Sequence, residues 1–420
     1  MSLLPHLDVI CHPRFPYGNV LRRALGPSRL PPPLDGENVR FYMRGSTALR
    51  SGLSLLGLSG ADSVLFPSYH CGIELDVILK AGIRAAFYPV DASLRVDTDS
   101  LGRCLDSTTK ALYVIHYFGF PHDLDELRRF CDRHGLFLIE DCAQSLYGRY
   151  RGEPVGTVAD IAIYSLSKTL AMPGGGALIV NNAGLHSPPD ADPRSSAVDI
   201  RVMRLIVERD LLVGPRFLDW AVRQVIFGSL SRIKKVFSSW ASGKGPSEGD
   251  HVANGCLRDP FEFRLEWENA GVSALAFWLL GRMPHEWPAE ARRRNFEYLS
   301  GIVGSCRSVR PLLADLPDGA CPAYYPVIPD GDPALFINFL RERGIWADFF
   351  WKRVHPSFPA NGFPDMIRLK NNIVILPVHQ SLRAKDLILI QDGLLEWERL
   401  HARVSGPHAV ACRETGCFAI

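Results

Sequence analysis

Ten cysteines, at positions 11, 71, 104, 131, 142, 256, 306, 321, 412 and 417, include no CxxC pair. Lacking zinc-ligand spacing, they read as reduced, mostly buried thiols of a cytoplasmic protein, and no metal site is expected. No apolar run approaches the roughly 20 residues that a membrane-spanning helix needs. The first residues read as a poor signal peptide: MSLLPHLDVICHPRF has no basic start, and Pro5 interrupts it before an apolar core forms. Charge of one sign is scarce, with 47 Lys and Arg against 45 Asp and Glu. The two signs are interspersed over most of the chain, so no field gathers nucleic acid.

What the chain does have is length and apolar content. Its 420 residues are 47% hydrophobic, enough for a large core and two or three domains. Short apolar runs at 63–66, 84–90, 111–116, 137–139 and 161–164 alternate with segments of helical periodicity. That alternation marks βαβ units and an α/β fold around a mainly parallel sheet. The stretch from Gly135 to Gly176 concentrates the chemistry. Phe137-Leu138-Ile139 reads as a buried strand that delivers Asp141, and Ile161–Tyr164 as a second that delivers Ser165, Ser167 and Lys168 before Gly174, Gly175 and Gly176. Ligands bind beyond the carboxyl ends of such strands, so both groups face one crevice. Two readings are open for them. One is an ion pair. The other is a lysine that forms an imine with pyridoxal phosphate, with Asp141 on the pyridine nitrogen and Ser165 offering its hydroxyl to the phosphate.

Ile139-Glu140-Asp141-Cys142-Ala143-Gln144-Ser145, Gly156-Thr157-Val158-Ala159-Asp160, Tyr164-Ser165-Leu166-Ser167-Lys168 and Gly174-Gly175-Gly176 together resemble the core of the DegT/StrS-like aminotransferases. The resemblance covers about residues 38–400. It implies a pyridoxal 5'-phosphate enzyme of fold type I, with a seven-stranded-type sheet in the large domain and a smaller C-terminal α/β domain. It further implies a homodimer that moves an amino group, usually from glutamate, to a nucleotide-linked keto-sugar, as in polysaccharide or secondary-metabolite biosynthesis. Lys168 and Asp141 are the expected catalytic residues. Gly45, Ser46 and Thr47 match the family's phosphate-binding element at a helix start, where N-cap hydroxyls and free N–H groups suit an anion. Gln144 is expected near the cofactor's phenolic oxygen. His70, with Cys71 as the alternative, stands where the family sets a flat side chain over the cofactor ring. One spacing departs: the family's phosphate-binding serine usually lies five residues before the lysine, and Ser165 lies three before Lys168. His116, at a strand exit, is a weaker candidate for the same crevice.

The expected organisation is an extended, proline-rich arm over residues 1–37, a large domain over 38–285, a small domain over 286–405 and a tail over 406–420. Residues 184–256 form an insertion. Within it, residues 201–237 carry eight basic against three acidic residues beside Leu211, Leu212, Phe217, Trp220 and Phe227. They are read as helices packed on the protein itself, the alternative being a basic face on a membrane or partner. Residues 261–283 are helical in pattern. Two other functions fit the same scaffold: a non-catalytic homologue that binds a partner or membrane through 201–237, and a sugar dehydratase, in which histidine would replace the imine lysine.

Overall fold

Five adjacent strands of the main sheet are parallel and point their carboxyl ends toward one side of the molecule. The computed structural model describes residues 7–186, 188, 190–212 and 262–404. The first strands are β1 (Val39–Tyr42), β2 (Ser63–Pro67), β3 (Arg84–Tyr88), β4 (Thr109–Ile115) and β5 (Phe137–Asp141). A small hairpin, β6 (Arg149–Tyr150) with β7 (Glu153–Pro154), precedes β8 (Ile161–Ser165), β9 (Gly176–Val180), β10 (Asp192–Arg194) and β11 (Ala270–Ser273). Nine of these form one sheet in the order β10-β11-β1-β9-β8-β5-β4-β2-β3. The seven strands from β1 to β3 in that order are the expected set, and β11 and β10 extend it beyond β1. The run β8-β5-β4-β2-β3 is parallel throughout, while β9 is antiparallel to β8 and to β1. The inner parallel strands β2, β4, β5 and β8 are buried almost throughout, as their largely apolar runs require, while β3 forms the more open edge.

Helices α1 (Tyr17–Arg23), α2 (Gly45–Leu55), α3 (Ile73–Lys80), α4 (Thr98–Arg103), α5 (Leu124–His134) and α6 (Ala197–Leu212) belong to this half, followed by α7 (Ala274–Leu280). Starts and stops follow local chemistry: Asp123 caps α5 by accepting from the Glu126 N–H, and Gly135 closes it in the left-handed conformation. A second, antiparallel sheet of β12 (Val309–Pro311), β13 (Tyr324–Pro329), β14 (Asp348–Phe349) and β15 (Val374–Pro377) runs β12-β13-β15-β14. It belongs with α8 (Pro288–Val303), α9 (Pro333–Glu342), α10 (Pro364–Asn372) and α11 (Ala384–Val404).

Two expectations change. Residues 261–283 are not one helix: the free edge of β1 recruits Ala270–Ser273 as β11, with the Met43 N–H donating to the Ala270 carbonyl at 2.9 Å. The arm is not extended throughout either, since it forms α1 after a parallel bridge from Val9 to Ile345. Helix α6 lies at the surface, with Ile200 and Leu205 exposed, and is tied down by its buried Asp199, bound to Ser273 and to Arg194. The remainder of the basic segment, the rest of the insertion beyond α6 and the expected tail lie outside the described residues. Among the described residues no helix is long and apolar enough to cross a membrane.

Candidate active site

Adjacent parallel strands bring Asp141 and Lys168 together. Asp141 ends β5, whose register with β8 sets it opposite Ile163. It is buried, and both its oxygens are engaged: the Tyr113 hydroxyl donates to Oδ2 at 2.7 Å and the Ala143 N–H to Oδ1 at 2.8 Å. Burial, reinforced by the charge of Asp141, pushes the Tyr113 hydroxyl well up and keeps it a donor. Lys168 ends a single 3-10 turn, Leu166–Lys168, that follows β8. The residue after it is held from the second sheet: the Thr169 carbonyl accepts from the Arg292 guanidinium at 3.2 Å and from Gln380 Nε2 at 3.0 Å. Arg292, on α8, is fully buried and also donates to Gln380 Oε1 and to the Pro322 and Ala323 carbonyls.

The start of α2 lies against this turn. A Cβ on Gly45 would sit 3.1 Å from the Tyr164 carbonyl and 3.4 Å from Ser165 Cβ, so glycine allows the helix end to reach β8. A Cβ on Gly176 would strike the Arg44 carbonyl carbon at 2.2 Å, which explains the small residue at the start of β9. No side chain caps α2, so its first N–H groups point outward unpaired within the helix. Thr47 is buried, and its Oγ1 has no hydrogen-bond partner. A buried hydroxyl without a partner loses its hydration for nothing, at about 1–3 kcal/mol, unless a ligand supplies the bond. Gly45 thus brings the uncapped start of α2 against Ser165, and free N–H groups together with an unpartnered buried hydroxyl are groups that fit a phosphate. Gln144 is buried nearby, with its Oε1 accepting from the Phe118 N–H at 2.9 Å and its amide nitrogen left to donate.

The third wall is the loop after β2. Gly72, at φ 109°, turns the chain into α3 in a conformation that disfavours any side chain. The Cys71 thiol lies 3.1 and 3.0 Å from the two carboxylate oxygens of Glu74, and the Gly72 N–H donates to Glu74 Oε2 at 3.1 Å. Lys168 acts electrostatically on both Cys71 and Glu74. His70 is placed otherwise. Its ring packs against Phe66, Phe358 and Phe87, with centroids at 5.1, 5.3 and 6.2 Å, and neither ring nitrogen has a partner. Burial and the Lys370 charge push it well below the usual imidazole range, so it is neutral. Of the two side chains expected over the cofactor ring, Cys71 feels the charge of Lys168, and His70 is enclosed among phenylalanines. The His70 backbone is itself clamped. Lys370, buried on α10, donates to the His70 carbonyl at 2.6 Å, to Trp351 at 2.8 Å and to Arg353 at 3.3 Å.

His116 does not join the cleft chemistry. Its Nε2 lies 3.0 Å from Glu140 Oε2, and Glu140 also accepts from the Gly156 and Ala159 N–H groups, both at 2.8 Å. Glu140 alternates with Asp141 along β5 and so faces the other side of the sheet. Sequence reasoning missed Tyr113, Glu74, Arg292 and Lys370. The only local signal among them was Glu74 just after Gly72 at a helix start, which an ordinary first-turn acid explains equally well.

The chain is similar to known proteins over part of its sequence and over most of its fold. Residues 42–188 match the profile of the DegT/DnrJ/EryC1/StrS aminotransferase family. GDP-perosamine synthase of Vibrio cholerae is 33% identical over 155 residues, covering 36% of this chain and 42% of that protein. L-glutamine:2-deoxy-scyllo-inosose aminotransferase of Streptoalloteichus tenebrarius is 36% identical over 144 residues, 34% of each chain. The chain therefore spans less than half the length of the curated relatives it matches. The fold extends further: the aminotransferase TlmJ from Streptoalloteichus hindustanus superposes with a TM-score of 0.62 over 95% of this chain and 100% of its own, at 19% identity.

Proposed function

We propose that this chain, related through residues 42–188 to the DegT/DnrJ/EryC1/StrS aminotransferases, is a pyridoxal-phosphate-dependent aminotransferase acting on a keto-sugar. The observation that carries the reading is the unpartnered Thr47 hydroxyl at the α2 start, which Gly45 brings against Ser165, one strand away from the paired exits of Asp141 and Lys168. Pyridoxal phosphate, when bound, supplies an aldehyde to carry the amino group and a pyridinium ring to draw electrons from the substrate carbon. The α2 N–H groups, Thr47 and Ser165 hold the phosphate. Asp141, fixed by Tyr113 and Ala143, accepts a hydrogen bond from the protonated ring nitrogen and so keeps the proton on the ring. Lys168 anchors the aldehyde through its Nζ, then takes and returns the proton at the substrate carbon. The Arg292 and Gln380 bonds to Thr169 hold the turn that carries Lys168. Cys71 faces this space and is the ring-side contact.

Glutamate as donor, a nucleotide-linked acceptor, a homodimer and a cytoplasmic location are part of the same reading. Purified protein reconstituted with pyridoxal phosphate is expected to be yellow, and borohydride to bleach it while labelling Lys168, read by peptide mass. A colourless protein without that label defeats the proposal. A labelled protein that no amino donor converts to the amine form would favour the non-catalytic homologue instead.

A further inference from the structure

The wall that carries Cys71 holds a titratable pair that amino transfer does not use. The thiol donates to Glu74, whose carboxylate also accepts the Gly72 N–H and sits in the first turn of α3. There the helix dipole favours its negative charge. The charged groups that act on the pair are Asp141 from β5 and Lys168 after β8, and Lys370 from α10 adds to the field at Cys71 and Glu74. Burial raises the Glu74 pKa, Asp141 raises it further, and Lys168 opposes both. Burial and the Glu74 charge likewise push the Cys71 thiol well up, with Lys168 pulling the other way.

Lys168 next to a cysteine would ordinarily favour a thiolate, the reactive form. A thiolate there competes for an aldehyde: a sulfur lone pair forms a C–S bond to the carbonyl carbon, the carbon–oxygen π pair moves to oxygen, and the oxygen takes a proton. The aldehyde is then withheld from the lysine amine. We infer that Glu74 is a positioning residue that holds Cys71 as a neutral thiol on the cofactor-facing wall, so that the aldehyde is left to Lys168. This rests on the function proposed above.

The test alkylates the full-length apoenzyme with iodoacetamide at pH 8, with and without pyridoxal phosphate. Peptide mass follows Cys71 against the half-buried Cys11 and Cys306, which serve as references. Glu74→Gln is expected to accelerate Cys71 at least tenfold while leaving both references unchanged, and the cofactor to protect Cys71 in either protein. The same variant should show a weaker borohydride label on Lys168, restored when Cys71→Ser is added. The inference is overturned if folded Glu74→Gln leaves the Cys71 rate unchanged, or if the cofactor labels Lys168 without protecting Cys71. Wild type alone decides if the variant does not fold: a Cys71 alkylated as fast as free cysteine overturns it, and one at least tenfold slower that the cofactor protects supports it. Absence of any Lys168 label in wild type defeats the function reading, and this inference with it.

Discussion

Asp141 and Glu74 are two buried carboxylates of one cleft, in the field of one lysine, yet they are built differently. Asp141 takes a hydroxyl and a backbone N–H and lies on the floor, where β5 and β8 fix its position. Glu74 takes a thiol and a backbone N–H and lies on a wall whose backbone is tied to α10 across 300 residues of sequence. Burial and the charge of Asp141 push the Glu74 carboxyl up, and Lys168 opposes both. The floor is therefore chemically committed, and the wall is an adjustable environment around it.

The sharpest way to break this contrast is at the floor. Lys168→Ala is expected to remove borohydride fixation and to lower turnover by about 10²–10⁴-fold, the usual worth of a positioned acid–base group. Retained turnover would strip the floor of its assigned role. Asp141→Asn should keep the cofactor bound but reduce transamination on the order of 10²-fold, as loss of one electrostatic stabiliser does. Spectral titration separates binding from rate there, and unchanged rate would dissolve the distinction between the two carboxylates.

The wall is tested by Lys370→Met, which orphans the His70, Trp351 and Arg353 carbonyls. A stability loss of about 3 kcal/mol is expected in urea unfolding, with looser cofactor binding, because each buried carbonyl left unpaired costs about 1–3 kcal/mol. The loss should grow with pH. Burial pushes Lys370 down to about 8 from 10.5, so above pH 8 the unfolded chain keeps a proton that the folded chain has released. Wild type then gains about 2 kcal/mol over the variant between pH 7 and pH 9.5. A flat difference would show that Lys370 is not desolvated in the fold. The smallest effect belongs to Thr47→Val. Its hydroxyl has no protein partner, so the apoprotein should gain about 1 kcal/mol of stability from the relieved desolvation while cofactor affinity falls about tenfold, one hydrogen bond's worth. A destabilised apoprotein would instead give that hydroxyl a structural partner.

These contrasts also explain what could be read before the fold was known. Asp141, Lys168, Ser165 and the α2 start were legible because each lies at the end of an apolar run or the start of a periodic one, within a few residues of its signal. The parallel sheet was legible for the same reason. Tyr113 was not, since a tyrosine in a strand says nothing of which face it takes. Lys370 and Arg292 were hidden altogether. An ordinary lysine and the first residue of an Arg-Arg-Arg run acquire meaning only when the fold sets them under carbonyls far away in sequence. The choice between His70 and Cys71 turned on Phe87 and Phe358, which form an aromatic cage that no local pattern announces.

The carbonyl of Thr169 has a mechanical meaning as well as a bonding one. The peptide just past Lys168 is fastened to α8 and to the residues after β15 through Arg292 and Gln380. The backbone beside Lys168 is therefore a joint of the fold, and a shift of α8 against the main sheet would be carried straight to it.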